Sequence, residues 1–256
     1  MFLAIDAGNS NVVFALYDQK ENRWKNQFRL ETNLNTLDTQ LSNKVPLYFL
    51  EHGIGSQDIA KIGFSSVVPE INKAITDFCK NFLGKKPYLI SAKSYAKLPI
   101  KTNRPQEIGT DLMCNVMAAF SRHHQAAIIV DFGTALTFTV VDQQGEVIGV
   151  NIVPGIKTAV KSLFSNTSKL PEVQLKVPES AIGKNTIHAI QAGIFYGYSS
   201  LIKGMIETIS EEAKLEFTII ATGGLSGVLT TLEKVVDEVD KNLTLEGWRL
   251  ITQANT

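Results

Sequence analysis

Residues 4–19 read AIDAGNSNVVFALYDQ, and residues 129–143 read IVDFGTALTFTVVDQ. Asp6, Gly8 and Asn9 in the first stretch fall on Asp131, Gly133 and Thr134 in the second. The offset shortens by one residue by the time Asp18 meets Asp142. Each copy is an apolar run, then D-x-G-[NT], then a β-rich run ending in Asp-Gln. Two short strands joined by a Gly-bearing turn produce that pattern, so each copy is predicted to be a β-hairpin. Gly145 makes a further turn in the second copy, and Val147 to Val153 supplies a third strand. Trp24 to Glu31 is its more polar counterpart in the first.

Beyond each three-stranded meander the periodicity changes. Lys61 to Val68 reads as a buried strand, and Pro69-Glu70 opens a helix through Phe82, with Pro at its favoured first position. Pro87 to Ser91 reads as a short strand, and Ile108 to His124 as a helix. In the second half Ile187, Ile190, Ile194, Leu201, Met205 and Ile209 recur at helical spacing across Lys184 to Ile209. A strand from Phe217 to Ala221 ends at Thr222-Gly223-Gly224. The order βββαβα thus occurs twice. The expectation is an α/β protein of two duplicated domains, 1–115 and 116–256, each a mixed sheet flanked by helices.

Composition narrows the partners. The 256 residues carry 25 Lys+Arg against 25 Asp+Glu, with 44% hydrophobic and 20% charged residues, which excludes wholesale disorder. Zero net charge argues against a polyanion binder, and the stretch richest in lysine, Lys80 to Lys97, is broken by apolar residues. No nucleic-acid partner is expected. Cys79 and Cys114 lack CxxC spacing, so neither a zinc site nor a disulfide framework is indicated. MFLAIDAGNS reaches an acid at its sixth residue without a positive n-region, and no apolar run approaches ~20 residues. A cytoplasmic protein without membrane attachment is predicted.

The repeated turn is where chemistry is expected. Gly8 and Gly133 let the backbone approach a ligand closely, and Asn9 or Thr134 can donate hydrogen bonds. Backbone amides in such turns form an anion-binding concavity suited to phosphate. Asp6 could hold hydrated magnesium, which keeps most of its waters and takes one or two carboxylates plus phosphate oxygens. A single D-x-G hairpin can equally be a tight turn and nothing more. Two of them at equivalent places in a duplicated fold favour a shared ligand. Other phosphate motifs fail. GxGxxG is absent, and Gly183-Lys184-Asn185-Thr186 has Pro178 where a P-loop has its first Gly. His123 and His124 read as surface or helix-end residues, while His52 and His188 have no nucleophile beside them in sequence. Phe195, Tyr196 and Tyr198 read as packing residues of the long helix.

The paired D-x-G-[NST] hairpins, with Thr222-Gly223-Gly224, resemble the acetate and sugar kinase, Hsp70 and actin superfamily, built from ribonuclease H-like (actin-like ATPase) domains. Within it the chain resembles the type III pantothenate kinases. DAGNSNVV at 6–13, GTD at 109–111, DFGTALT at 131–137 and GKNTIHAIQAGIFYGY at 183–198 carry that likeness. SSVVP at 65–69, NIVPG at 151–155 and LTLEG at 243–247 extend it over almost the whole chain.

The resemblance implies an ATP-dependent kinase that phosphorylates pantothenate at the start of coenzyme A biosynthesis. It implies that Asp6, Ala7, Gly8, Asn9, Ser10, Asn11, Val12 and Val13 bind ATP phosphates, with Asp6 serving magnesium and Thr134 contacting ATP. Asp131 matches a ligand of a monovalent cation, K⁺ or NH₄⁺, near the interface of a homodimer. Gly109, Thr110, Asp111 and Leu112 match the main pantothenate motif, Thr186 a further contact, and Asp111 the proton acceptor. A carboxylate suits that role, because phosphoryl transfer needs positioning more than a strong base. Two positions depart from the family pattern: Leu112 stands where Arg is usual, and Thr102 where Tyr is usual. Arg binds a carboxylate bidentately, which Leu112 cannot do; Lys101 or Arg104 could supply the missing cation. These departures keep two alternatives open: another small-molecule kinase or phosphatase of the superfamily, and a non-catalytic regulatory or binding protein on the ATP fold.

Overall fold

The apolar run ahead of Asp6 forms β1 (Phe2–Ala7), buried along almost its whole length. A strand with both faces covered reads as a continuous apolar run, as this one does. β2 (Asn11–Asp18) returns antiparallel and sets Asp6 opposite Val13. β3 (Arg23–Glu31) follows antiparallel at the sheet edge, where alternate residues face solvent, which explains its more polar sequence. After α1 (Leu37–Glu51), β4 (Lys61–Ser66) pairs parallel with β1 on its other side and places Ser65 opposite Asp6. α2 (Asn72–Leu83) and the short β5 (Tyr88–Leu89) complete a five-stranded sheet of order β3-β2-β1-β4-β5. α3 (Thr110–His123) comes next.

The second meander repeats the first. β6 (Ala127–Phe132), β7 (Ala135–Val141) and β8 (Val147–Pro154) are antiparallel neighbours. α4 (Ile156–Ser165) and α5 (Thr186–Ala213) lead to β9 (Thr218–Thr222), parallel to β6, and then to β10 (Glu238–Val239) and α6 (Leu243–Asn255). Read from its far edge, this sheet has the order β8-β7-β6-β9-β10, which is that of the first. Even the register irregularities repeat: β2 slips between Leu16 and Tyr17 against β3, and β7 between Val140 and Val141 against β8. The fold is the predicted duplicated α/β arrangement with two mixed five-stranded sheets.

The computed structural model describes residues 1–167, 169–226 and 235–256. They form two compact units: Met1–Pro99 with Arg104–Met117 and Thr244–Thr256, and Ile100–Asn103 with Ala118–Leu243. The first has a core of Leu3, Ile5, Phe14, Leu41, Phe49, Phe64 and their neighbours. The second is centred on Ile128, Val130, Phe138, Phe195 and Ile202, with Tyr196 and Tyr198 packed against it. Among the described residues no helix is long and apolar enough to cross a membrane.

Several local expectations are corrected. The strand from Lys61 stops at Ser66: the Val67 amide makes the last ladder bond, to the Ala7 carbonyl (3.0 Å), and the Ser66 hydroxyl then takes the Val68 amide (3.1 Å). Pro69–Ile71 then forms a 3₁₀ turn that runs into α2. Pro87–Ser91 is strand only at Tyr88 and Leu89. The long helix begins at Thr186, because Asn185 caps it: Asn185 Oδ1 accepts from the His188 amide at 2.9 Å. α1, α4 and α6 are additional helices. α1 was hidden by Pro46 in its interior.

Candidate functional site

In the first unit the site lies at the carboxyl ends of β1 and β4, where open α/β sheets commonly bind ligands. The turn of residues 8–10 is closed by the Gly8 amide donating to the Asn11 carbonyl (3.0 Å). Thr32 buttresses it: its hydroxyl donates to the Gly8 carbonyl (2.6 Å) and its amide to the Ser10 carbonyl (3.1 Å). Asn9, Ser10 and Asn11 are exposed at the tip, whereas Ala7 and Val12 are buried and Val13 is partly buried. The hairpin therefore offers a polar tip on a fixed base.

Asp6 is the last charged group of β1 and is largely buried. Loss of hydration pushes its pKa up to about 7, and the negative charge of Asp111 adds to that rise. Asp111 stands exposed in the first turn of α3, where the helix dipole favours a carboxylate. Its Oδ1 lies directly over Gly109; a β-carbon on that residue would collide with it. Thr110 is tied to the sheet by Ser65, with 2.9 Å between their hydroxyl oxygens. Leu112 is only 8% exposed and belongs to the hydrophobic interior. Behind the acids, burial and then the charges of Asp111 and Asp6 hold the Cys114 thiol well above its ordinary pKa, so it is an inert neutral group.

In the second unit the equivalent hairpin is closed by the Gly133 amide donating to the Ala135 carbonyl (3.1 Å). The Thr134 carbonyl accepts from the Gly155 amide (2.9 Å) and from the Thr158 hydroxyl (2.7 Å). Each turn is thus supported by a threonine hydroxyl 24 residues further on, Thr32 at the Gly8 carbonyl and Thr158 at the Thr134 carbonyl. Asp131 faces Thr137 on β7 and Thr222 on β9, so all three side chains project from one face of the sheet. The hydroxyls of Thr137 and Thr222 are buried without a hydrogen-bond partner, a state that costs about 1–3 kcal/mol each unless a ligand uses them. Gly223 adopts φ +89°, and a β-carbon there would stand 2.6 Å from Asp131 Oδ1.

The expected residues therefore gather in two places. Asp6, the first turn, Gly109, Thr110 and Asp111 belong to the first unit. Asp131 and Thr134 share a hairpin of the second, Thr186 is exposed at the head of α5, and Thr102 lies in the segment Ile100–Asn103. Of the substitute cations, Lys101 is exposed and Arg104 pairs with Glu107 (3.1 Å). His123 bonds Glu238 through Nε2 (2.8 Å), and His188 accepts from the Lys184 amide (3.3 Å), so both are structural. Sequence reasoning assigned no role to Thr32, Thr158, Ser65, Thr137 or Thr222.

A buried acid at the end of β1, under the charge of an acid in the first turn of α3, lies beside a turn with exposed donors on a duplicated actin-like ATPase fold. Solved structures of that likeness include a Baf family protein from Campylobacter jejuni, 22% identical, covering 99% of this chain and 98% of that one with TM-score 0.60. Another is the activator of 2-hydroxyisocaproyl-CoA dehydratase from Clostridium difficile, determined with bound ADPNP: 12% identity, 99% and 95% coverage, TM-score 0.54. At such identities they speak for the fold. The type III pantothenate kinase family model matches residues 2–208. A type III pantothenate kinase of Geotalea uraniireducens is 40% identical over 255 residues, covering 100% of this chain and 99% of that one. The chain belongs to the type III pantothenate kinase family.

Proposed function

We propose that this protein transfers the γ-phosphoryl group of ATP to the terminal hydroxyl of pantothenate, giving 4'-phosphopantothenate and ADP in the first step of coenzyme A biosynthesis. The observation that carries the reading is the Asp6–Asp111 pair at the ends of β1 and α3, in a chain whose full-length relatives bear that name. Asp111 orients the hydroxyl and accepts its proton as the new oxygen–phosphorus bond forms and the bond to the leaving ADP oxygen breaks. Such a group contributes ~10²–10⁴-fold. The turn residues 7–13 and Thr134 bind the nucleotide, while Gly109, Thr110, Leu112, Thr102 and Thr186 bind pantothenate.

Asp6 suits magnesium, which takes one or two carboxylates and completes its shell with water and phosphate oxygens. When bound, magnesium would neutralise charge on the transferring phosphates and offset the burial and repulsion that raise the Asp6 pKa. Asp131 with the partnerless Thr137 and Thr222 hydroxyls suits a monovalent cation, K⁺ or NH₄⁺. The two halves of the duplication, 1–115 and 116–256, each contribute one hairpin.

The protein works as a cytoplasmic homodimer in this reading. Its two cysteines are free and buried, in keeping with a reducing compartment. The edge strand β8 exposes Ile148 and Ile152, apolar side chains suited to burial against a second copy. The test is ATP turnover by the purified protein with pantothenate, set against a panel of small alcohols, with and without potassium. Turnover that is absent or indifferent to pantothenate would overturn the reading.

A further inference from the structure

Ser65 has no role in the reaction above, yet its side chain is almost wholly buried, at 2% exposure, beside the reacting groups. It stands directly opposite Asp6 on the neighbouring parallel strand. Paired residues of adjacent strands project from the same face, about 4.8 Å apart, so the Ser65 hydroxyl and the Asp6 carboxyl share one surface. The hydroxyl bonds Thr110, the first residue of α3, across 45 residues of chain. The next residue is Asp111. The first turn of α3 is otherwise closed by the Met113 amide bonding the Gly109 carbonyl at 3.2 Å, a local contact that does not reach the sheet.

We infer that Ser65 is a positioning residue. Through Thr110 it pins the start of α3 to the end of β4, and so fixes the Asp111 carboxylate relative to Asp6. The inference rests on the kinase reading above and deepens it. Helix starts lack intrahelical partners for their amides and are the part of a helix most free to shift. A misplacement of about 1 Å at a reacting centre can cost ~10²-fold in rate. One hydroxyl–hydroxyl bond to the adjacent strand therefore controls the geometry on which the base depends.

The experiment is a double-mutant cycle in the full chain, with Ser65→Ala, Thr110→Val, the double variant, and Ser65→Thr as the conservative control. Steady-state kinetics with MgATP and pantothenate are read alongside amide hydrogen exchange at Met113. Ser65→Ala is expected to lower kcat about tenfold or more, with the KM for ATP within about twofold of the parent. Ser65→Thr, which retains a hydroxyl for Thr110, should recover kcat toward the parent value. The double variant should be no slower than the slower single one, because the bond is already lost. Met113 should exchange faster in Ser65→Ala while the rest of the chain stays protected.

Multiplying effects in the double variant, or unchanged exchange at Met113, would overturn the inference. Loss of protection throughout the chain would also overturn it, in favour of a purely structural serine. If the parent and Ser65→Ala turn over pantothenate equally, only the positioning role falls. If the parent turns over none, the kinase reading falls first.

Discussion

Asp6 near the end of β1 lies within electrostatic reach of Asp111 in the first turn of α3, and burial of Asp6, with that charge added, holds it as an acid that titrates near neutrality. The arrangement is unfavourable for an isolated chain and useful for one that meets a cation and a nucleotide.

Its first consequence is a pH dependence of stability. Asp6 binds its proton more tightly folded, with a pKa of about 7, than at its ordinary value of 3.8. Stability without nucleotide is therefore full below about pH 4 and falls as pH rises to about 7. At 1.36 kcal/mol per unit the loss is at most about 4 kcal/mol. Asp6→Asn should flatten that fall and raise Tm at pH 8 while removing activity. A Tm–pH curve that keeps its slope in the variant would contradict the burial of the charge.

The second concerns the base. Asp111→Asn should lower kcat by ~10²–10⁴-fold while ATP binding, measured calorimetrically, persists. Near-parental kcat would remove Asp111 from the proton-accepting role.

The third tests the second hairpin. Gly223→Ala introduces a β-carbon at φ +89°, 2.6 Å from Asp131 Oδ1 and 2.8 Å from the Phe132 backbone. The strain should cost on the order of 1–3 kcal/mol, and displacement of Asp131 should raise the potassium concentration needed for half-activation. A variant with parental Tm and potassium response would show that the space is not needed.

The fourth concerns Leu112. Arg at this position can run its aliphatic stem along the interior that now holds Leu112 and present its fork to a carboxylate. Leu112→Arg should lower KM for pantothenate about tenfold or more, as a charge-assisted bond would. An unchanged KM would mean that the side chain at 112 does not reach the substrate.

The hairpins were legible in the sequence because their signal is local. An apolar run, an acid, a glycine and a second run dictate two strands whatever surrounds them, and repetition of the pattern turned a common turn into a candidate site. α1 was not legible, since Pro46 removes a donor from its interior and tertiary packing overrides that penalty: Leu37, Leu41, Val45 and Phe49 still bury one face. α6 follows the second half in sequence yet, from Thr244 onward, belongs to the first unit. There Gly247 abuts the Cys114 carbonyl, and the Thr244 hydroxyl bonds Asn115 Oδ1 at 2.7 Å. No periodicity along the chain announces such a return.

What the sequence determined by itself is the duplicated fold, the two D-x-G turns and the residue types able to handle phosphate, because each rests on spacing along the chain. The tertiary structure alone decided that Asp111 comes within electrostatic reach of Asp6 and that Ser65 ties β4 to the start of α3. It likewise decided that Thr137 and Thr222 bring partnerless hydroxyls to Asp131. Those relationships depend on strand register and helix docking, which bring together residues far apart in sequence, and they are what give ordinary aspartates and threonines their chemistry.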